Sequence, residues 1–391
     1  MHYNFDEIID RRGTSSYKID LCKARFGTDD LLPLWVADMD FRTPDFVMNA
    51  IRERCMHEVL GYTIRNKDFN QPFIDWVNYK HNWQVQNEWI GFVPGVVMGM
   101  STAVLAYTKQ GDKVIIQPPV YPPFFSVVKN HKRELVLNQL IFENGQYRMN
   151  FDELKKQAAD PKVKMMLLCS PHNPGGRVWS KEELQELSEI CAQHNVLVLS
   201  DEIHADLALP GYTHTPFAMV SETAKQNSIT LMAPSKTFNI PGLGSSSYII
   251  PNKELFTVYD TQIHHLEIGA GSLFAYTATT AAYSQGADWL KQLISYIQGN
   301  IDFVSRYIQN HIPKVKVVLP QASFLIWLDF SALNMTDAEV QDILVKKAKL
   351  GFNPGTTFGS GGSGFHRMNV GCSRLVVQEA MQRLHTALEK L

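Results

Sequence analysis

The sequence predicts an α/β protein with a mostly parallel central sheet, helices on both faces of that sheet, and a second, smaller α+β domain. The middle of the chain repeats β-branched apolar runs, turns rich in Pro, Gly or Asn, and runs of helical period. This rhythm is typical of parallel βα units. After residue 288 the pattern changes to long helical runs that flank the apolar segments 314–330 and 365–372. The change predicts that the smaller domain begins there.

The strands of the central sheet are predicted from apolar runs that end in turn residues. The runs lie at 113–117, 163–170, 196–203, 228–234 and 246–250. Because they are apolar almost without interruption, they need helices on both faces. Between the second and third runs, Ser180 stands three residues before Glu183, which is the spacing of a capping box at the start of a helix.

The chain is long enough for two domains, each with a core of its own. We expect residues 46–287 to form the large domain, and residues 1–45 with 288–391 to form the small one. Four aromatic residues in a helix-like stretch are expected to pack in the core. They are Trp76, Tyr79, Trp83 and Trp89.

Composition argues against several classes of protein. The formal net charge is −2, with 37 basic against 39 acidic residues, so there is no basic surface to hold a nucleic acid backbone. The N-terminal segment is polar, and no later run is apolar enough to span a bilayer, so we expect a cytoplasmic protein without a membrane partner. The scattered cysteines predict neither a disulfide framework nor a metal site. They are Cys22, Cys55, Cys169, Cys191 and Cys372.

Chemically useful residues follow the ends of the predicted strands. Asp201 and Lys236 each come after an apolar run, as does Asn173, and the turn 95–97 follows another. An open α/β sheet binds its ligand outside the carboxyl ends of its strands. A single Asp or Lys at such a place is usually a structural residue, but the four positions together match the needs of one cofactor.

That cofactor is pyridoxal 5'-phosphate (PLP), which needs an amine to hold it as an imine and an acid to keep its ring nitrogen protonated. Lys236 is the candidate amine, with a pKa lowered in a partly desolvated cleft. Asp201 is the candidate acid. Asn173 and His204 are candidate donors to the ring oxygen.

The phosphate and the ring faces of PLP also have candidate partners. The turn Gly95-Val96-Val97 opens into a predicted helix, and free backbone N–H groups at such a helix start bind phosphate. Tyr121 lies on a proline-rich loop after a strand, in PPVYPPF, where its ring is a candidate to stack on the pyridine ring.

The strings PPVYPPF, SPHNPGGRVW, SDEIHADL and APSKTFNIPGL resemble the fold-type I PLP enzymes, and among them the MalY/PatB-type carbon–sulfur β-lyases of the class I/II aminotransferase-like group. The resemblance runs from LWVADMDF at 34–41 to HRMNVGCSR at 366–374. It implies the same roles for Lys236, Asp201, Asn173 and Tyr121 as the residues themselves suggest.

The resemblance adds two further roles. It implies that Arg367 clamps the α-carboxylate of the substrate with its planar fork. It also implies that Tyr62 reaches the phosphate in the neighbouring subunit, which predicts a homodimer with shared active sites. Aspartate aminotransferase-like enzymes carry an arginine where this chain has Gly244, and a tyrosine where it has His204. Phosphate binding is therefore expected to depend on Ser235, backbone N–H groups and Tyr62.

The resulting hypothesis is a PLP-dependent lyase of amino-acid metabolism, including methionine biosynthesis, that cleaves cystathionine, cysteine or related S-substituted cysteines. Its products would be a thiol or sulfide, pyruvate and ammonia. The branch resemblance through His204 favours elimination over the alternative, an aminotransferase. A third hypothesis is a PLP-binding regulatory protein without turnover, but such a protein is expected to have lost Lys236 or Arg367, and this chain has both.

Overall fold

The computed structural model describes residues 2–66 and 68–389, so residues 1, 67, 390 and 391 of the predicted domains lie outside the described part. The strands are β1 (Leu32–Pro33), β2 (Ile90–Val93), β3 (Lys113–Ile116), β4 (Glu134–Leu137), β5 (Ile141–Glu143), β6 (Gln146–Arg148), β7 (Val163–Cys169), β8 (Leu197–Asp201), β9 (Ser228–Met232), β10 (Ser246–Ile249), β11 (Lys316–Val318), β12 (Leu325–Asp329), β13 (Leu350–Gly351), β14 (Asn353–Pro354) and β15 (Phe365–Asn369).

The α-helices are α1 (Tyr17–Asp20), α2 (Cys22–Phe26), α3 (Asp45–Cys55), α4 (Gln71–His81), α5 (Val96–Tyr107), α6 (Pro123–Lys129), α7 (Phe151–Ala158), α8 (Lys181–Gln193), α9 (Glu222–Gln226), α10 (Pro234–Thr237), α11 (Lys253–His265), α12 (Leu273–Gln285), α13 (Ala287–His311), α14 (Asp337–Asp342) and α15 (Arg374–Leu388). Short 3₁₀ turns lie at Asn87–Trp89, Ala205–Leu207, Phe217–Met219, Pro241–Leu243, Ser331–Leu333 and Gly355–Phe358, with a π turn at Ile343–Lys347.

In the described residues the central sheet has seven strands in the order β2-β10-β9-β8-β7-β3-β4. Strands β9, β8, β7, β3 and β4 run parallel, whereas β10 is antiparallel to both of its neighbours. The predicted α/β class with a mostly parallel sheet is confirmed. The antiparallel direction of β10 could not be predicted, since the apolar run 246–250 reads the same in either direction.

Both faces of the sheet are covered, which explains the continuous apolar runs. Along β7, Met165 and Leu167 pack into the layer formed with α5, α6 and α11. Met166 and Leu168 point to the opposite layer, formed with α7, α8 and α9. Helix α8 starts at the predicted capping box, in which Ser180 and Glu183 each accept from the other's backbone N–H. Such a cap stabilises a helix by about 1 kcal/mol.

The second sheet, β11-β12-β15-β14, is antiparallel. It packs on α13 and α15, whose apolar faces belong to the largest core cluster. The N-terminal strand β1 pairs in parallel with β13, with Leu32 opposite Leu350. This pairing brings the N-terminal segment beside the C-terminal part of the chain, and Ala37 and Met39 then contact Lys236 and Asn239, which follow the end of β9.

The aromatic cluster at 76–89 was predicted only in part. Helix α4 ends at His81 because Asn82 adopts a left-handed conformation, so only part of the stretch is helical. Trp76 and Trp83 are buried as expected, but Tyr79 is 68% exposed, and its predicted core position was wrong. No helix in the described residues has the length and apolar character needed to cross a membrane.

Candidate active site

A cavity of about 510 Å³ lies at the carboxyl ends of the parallel strands, where an α/β sheet is expected to bind its ligand. We call it the central cavity. It brings together nine residues that were predicted from separate parts of the sequence. They are Gly95, Val96, Val97, Tyr121, Asn173, Asp201, His204, Ser235 and Lys236.

A second space of about 580 Å³, the outer cavity, adjoins the first and shares Ala37, Tyr121 and Lys236 with it. Arg367 lines the outer cavity. Lys236 therefore lies where the two spaces meet, with the predicted cofactor residues lining the central cavity and the predicted carboxylate clamp, Arg367, lining the outer one.

Lys236 lies on α10, a single turn that begins directly after β9 with Pro234 at its first position. Its Nζ donates a hydrogen bond of 2.6 Å to the carbonyl oxygen of Ala37. Burial lowers the pKa of Lys236 to about 8, and the cationic Arg367 acts in the same direction. The nearby carboxylate of Asp38 opposes the shift. At this pKa roughly a tenth of the amine is neutral at pH 7, far more than for an ordinary lysine, as a nucleophile or base requires.

Asp201 is the last residue of β8 and is buried. Burial raises its pKa to about 7, against the hydrogen bond from the backbone N–H of Ile203 to Oδ1 at 3.1 Å. Among the described residues no other donor bonds to this carboxylate. One carboxylate oxygen is therefore available to a cationic N–H group within the cavity, and such a partner would favour the ionised form.

Arg367 lies on β15 and is buried. Nη1 donates to Oδ1 of Asn173 and Nη2 to the carbonyl oxygen of Trp35, each at 2.9 Å. Its Nε has no hydrogen-bond partner, and in the described part of the chain no carboxylate lies within the 4.0 Å of an ion pair. Burial lowers the pKa of this guanidinium to about 10. A buried cation without a counter-ion is costly, so the site favours an anionic ligand.

Asn173 and His204 retain polar groups that the protein leaves free. Because Oδ1 of Asn173 accepts from Arg367, the amide nitrogen remains as a donor. Burial lowers the pKa of His204 to about 3, helped by the nearby cations Lys236 and Arg367, so its ring is neutral. Its Nδ1 is buried without a partner. A cavity with such orphaned groups is built to receive a polar ligand.

The part of the central cavity that was predicted to bind phosphate is formed by the start of α5. Gly95 adopts a φ of 132°, which side chains other than hydrogen rarely allow. Its N–H donates to Oγ of Ser246 at 3.1 Å, and that hydroxyl donates to the carbonyl of Val93 at 2.7 Å. No side chain caps α5, so its first N–H groups are available to an anion. Ser235 lines the same side.

Tyr121 borders both cavities, and its backbone N–H donates to the carbonyl of Asn173 at 3.1 Å. Burial raises the pKa of its hydroxyl, which keeps it protonated at neutral pH. Tyr62 is different, since it is fully exposed in the segment between α3 and α4 and does not line the cavity of its own chain.

Sequence reasoning missed the backbone contributions of the N-terminal segment. The carbonyl groups of Ala37 and Trp35 contact Lys236 and Arg367 from about 199 and 332 residues away. Ser101 and Ser245 also line the central cavity. A backbone carbonyl has no residue type that could identify it, and the only available signal was the string LWVADMDF, which the resemblance singled out.

A buried charge cluster holds that segment in place. Nζ of Lys18 lies 2.9 Å from Oδ1 of Asp38 and 3.0 Å from Oδ1 of Asp40, and its side chain is fully buried. Arg11 contacts both carboxylates at 2.6 Å. Although burial opposes it, the pKa of Asp38 is lowered by Lys18 and Arg11. The cluster fixes the backbone on either side of Asp38, including the carbonyl of Ala37 that binds Lys236.

We therefore expect Lys18→Met to destabilise the protein by about 3 kcal/mol, because two partly buried carboxylates lose a fully buried cation and keep only Arg11. Urea unfolding at neutral pH measures the change, with the exposed neighbour Lys23→Met as the matched control. The difference between Lys18→Met and wild type should shrink in acid. The lowered pKa of Asp38 means that its stabilisation is lost as the pH falls from the unfolded value through the folded one. Equal stability of the two variants at neutral pH would contradict this role.

The side chains and backbone groups that line the central cavity fit PLP. Lys236 offers an amine of lowered pKa and Asp201 an unpaired acid. The uncapped start of α5 offers N–H groups to a phosphate, and His204 and Asn173 have polar groups left free. No cluster of His, Cys, Asp and Glu suited to a metal ion occurs in the residues that the structure describes.

The fold and this site define a fold-type I PLP enzyme. The family model for aminotransferase class I and II matches residues 29–384, and the chain belongs to that family. It is 45% identical over 385 residues to cystathionine beta-lyase PatB of Bacillus subtilis, covering 98% of this chain and 100% of that protein. It is 32% identical over 388 residues to protein MalY of Escherichia coli, covering 99% of each.

Among solved structures, cystalysin from Treponema denticola contains a pyridoxal 5'-phosphate cofactor and superposes with a TM-score of 0.97, at 36% identity and over 100% of both chains. The predicted resemblance to the MalY/PatB branch is confirmed, and so is the predicted cofactor, PLP.

Proposed function

We propose that this protein is a PLP-dependent carbon–sulfur β-lyase. It cleaves cystathionine, cysteine or related S-substituted cysteines with consumption of one water, and releases a thiol or sulfide, pyruvate and ammonia. The observation that carries the proposal is the pairing of Lys236, whose pKa is about 8, with the buried Arg367, which lacks a counter-ion, around adjoining cavities. The name of one relative, cystathionine beta-lyase PatB, supports the lyase class.

Each residue has a defined task in this proposal. When bound, PLP withdraws electrons from the α-carbon of the amino acid and makes its C–H bond acidic. Nζ of Lys236 removes that proton as the general base. Arg367 holds the α-carboxylate in its fork and so places the α-carbon near Nζ. Asp201 keeps the proton on the ring nitrogen. The amide of Asn173 and the neutral His204 are donors to the ring oxygen.

The remaining predicted residues hold the cofactor in position. The turn at Gly95 starts α5 and presents the N–H groups of Val96 and Val97, which bind the phosphate together with the hydroxyl of Ser235. Tyr121 covers the face of the ring, and its protonated hydroxyl stands at the boundary of the two cavities. Lys236 lies on α10, Asp201 on β8 and Arg367 on β15. Because three different elements hold these side chains, they orient the α-proton and the sulfur substituent of the substrate in a fixed geometry.

A thiol-release assay tests the proposal. Purified holoenzyme is incubated with cystathionine, cysteine or S-methylcysteine, and free thiol or sulfide is measured with a chromogenic reagent. We expect release with a rate proportional to enzyme concentration. Release no faster than that of Lys236→Ala for every substrate would contradict the proposal, and would favour a PLP-binding regulatory protein without turnover.

The clamp gives a separate prediction. Arg367→Ala should raise KM more than it lowers kcat, because the α-carboxylate is bound in the ground state and the transition state alike. Loss of a desolvated bidentate contact costs about 2 to 4 kcal/mol, or about thirty-fold to several hundred-fold in KM. Arg367→Lys keeps the charge without the fork and should recover only part of the loss. A fall in kcat at unchanged KM would show that Arg367 has another task.

We propose that the enzyme is a homodimer in which Tyr62 reaches the phosphate of the neighbouring subunit. The segment around Tyr62 exposes several apolar side chains, which are unusual on a free surface. They are Met56, Val59, Leu60 and Ile64. Sedimentation velocity at assay concentrations tests the proposal, and a fully active monomer would contradict it.

Three further predictions stay proposals. We place the protein in the cytoplasm, in agreement with the free state of its five cysteines. We place its reaction in sulfur amino-acid metabolism, with methionine biosynthesis as the expected destination of the thiol from cystathionine. We divide the chain into a large domain at 46–287 and a small one at 1–45 and 288–391, a division that the β1–β13 pairing supports.

A further inference from the structure

The outer cavity opens between two N-terminal helices and the central sheet. Its inner wall carries Lys236 and Arg367, and its rim is formed by α1 and α2 through Tyr17, Leu21 and Arg25. Tyr17 and Leu21 are 64% and 39% exposed, so the rim faces solvent. A substrate held at its α-carbon by the inner wall would extend its sulfur substituent toward this rim.

Arg25 stands out among the N-terminal arginines because it lacks an acidic partner. Arg11 pairs with Asp38 and Asp40, Arg12 with Asp10, and Arg42 with Glu7. In the described part of the chain no carboxylate lies within 4.0 Å of Arg25. Its guanidinium instead lies over the ring of Trp35, 6.0 Å from the ring centroid, a favourable contact that leaves its N–H donors free.

Trp35 connects this arginine to the inner clamp. Its ring lies beneath Arg25, while its carbonyl oxygen accepts from Nη2 of Arg367 at 2.9 Å. The indole is held by a hydrogen bond from Nε1 to the carbonyl of Lys18 at 2.9 Å and by edge contact with Phe26. The two guanidiniums are therefore set at opposite ends of one rigid residue, along the same cavity.

Besides the two arginines, the outer cavity is lined by several apolar side chains, namely Leu21, Ala24, Trp35, Val36 and Pro122. Such a wall suits methylene groups and a thioether sulfur. A cation at each end suits a ligand with a carboxylate at each end. The chemistry of the cavity thus matches a thioether whose leaving group carries its own carboxylate better than it matches cysteine or a simple S-alkylcysteine.

We propose that Arg25 binds a carboxylate on the leaving group and makes the enzyme selective for S-substituted cysteines with a second carboxylate. This inference rests on the proposed lyase function and specifies its substrate class. Because Arg25 is exposed at the rim, its contact is screened by water and is worth less than that of Arg367. It acts on substrate selection and leaves the chemistry at the α-carbon unchanged.

Two matched substrates test the proposal. S-(3-carboxypropyl)cysteine carries the distal carboxylate, and its amide S-(3-carbamoylpropyl)cysteine has nearly the same shape without the charge. Arg25→Gln should lower kcat/KM for the acid about fivefold to tenfold and change that for the amide by less than about twofold. Arg25→Lys should keep part of the preference. The control Lys23→Gln removes an exposed cation from the same helix, away from the cavity, and should leave both values unchanged.

Salt and binding measurements complete the test. In wild type, raised ionic strength should weaken the preference for the acid, whereas Arg25→Gln should show no such dependence. The Kd of both substrates is also measured from the absorbance change of the bound cofactor, which requires no product. Equal losses for acid and amide in Arg25→Gln, or no loss for either, would overturn the proposal. Absence of thiol release by wild type, with the Kd preference intact, would overturn the lyase function alone.

Discussion

Replacing Lys236 with alanine is expected to reduce kcat by about 10⁴-fold or more, because one side chain supplies both the covalent attachment of the cofactor and the general base. The pKa of about 8 that suits this amine to both tasks comes mainly from the burial of Lys236, and Arg367 acts in the same direction. Steady-state thiol release measures the loss. An added small amine such as methylamine should restore part of the activity of the variant, which would show that its fold and cavity are intact.

The lysine to which the cofactor is covalently attached can be identified by experiment. Borohydride reduction of the wild-type holoenzyme, followed by peptide mass spectrometry, should place the reduced cofactor on Lys236. In Lys236→Ala no covalent adduct should form, although the cofactor can still bind through its phosphate. A wild-type adduct on another lysine would show that the amine has been wrongly identified.

The second large effect is expected at Asp201. Asp201→Ala should lower kcat by about 10² to 10³-fold with little change in KM, because the acid stabilises charge that develops only during proton removal. Asp201→Glu should fall between wild type and the alanine variant. The measurement is kcat and KM for cystathionine with the cofactor content of each preparation determined separately. A rise in KM at unchanged kcat would contradict the role.

A folding defect can be separated from this effect. Burial raises the pKa of Asp201 to about 7 in the cofactor-free fold. A carboxyl group whose folded pKa lies above its unfolded value destabilises the fold as the pH rises between the two values, and the cost persists at higher pH. Asp201→Asn should therefore unfold at no lower temperature than wild type in cofactor-free protein above pH 7. If it does unfold earlier, Asp201 has a structural role as well.

The parts of the fold that the sequence predicted are those with local signals. The alternation of Met165 and Met166 between two apolar layers requires an uninterrupted apolar strand, and such a strand is visible in the sequence. Ser180 and Glu183 form their cap within four residues of each other. Asp201 and Lys236 stand directly after their strands, so the general position of ligand sites in α/β sheets was enough to select them.

The parts that could not be predicted depend on contacts between distant segments. Arg367 is one of many arginines in the sequence, and only the family resemblance selected it. Its burial and its missing counter-ion exist only after β15 has packed beside Asn173 and Trp35. Arg25 could not be selected from the sequence for the same reason, because what distinguishes it is that no acidic partner lies beside it in the described part of the folded chain. A missing acidic partner produces no recognisable pattern in a sequence.

In the proposed reaction, proton removal at the α-carbon ends in loss of the sulfur substituent. The most direct test is the ratio of products from cystathionine, with and without an added oxo acid as amino acceptor. We expect one pyruvate for each thiol released, over many turnovers, with a rate that the acceptor does not change. An oxo acid that retains the sulfur side chain, formed once per site and continuing only when acceptor is present, would show transamination and rule out the lyase reaction.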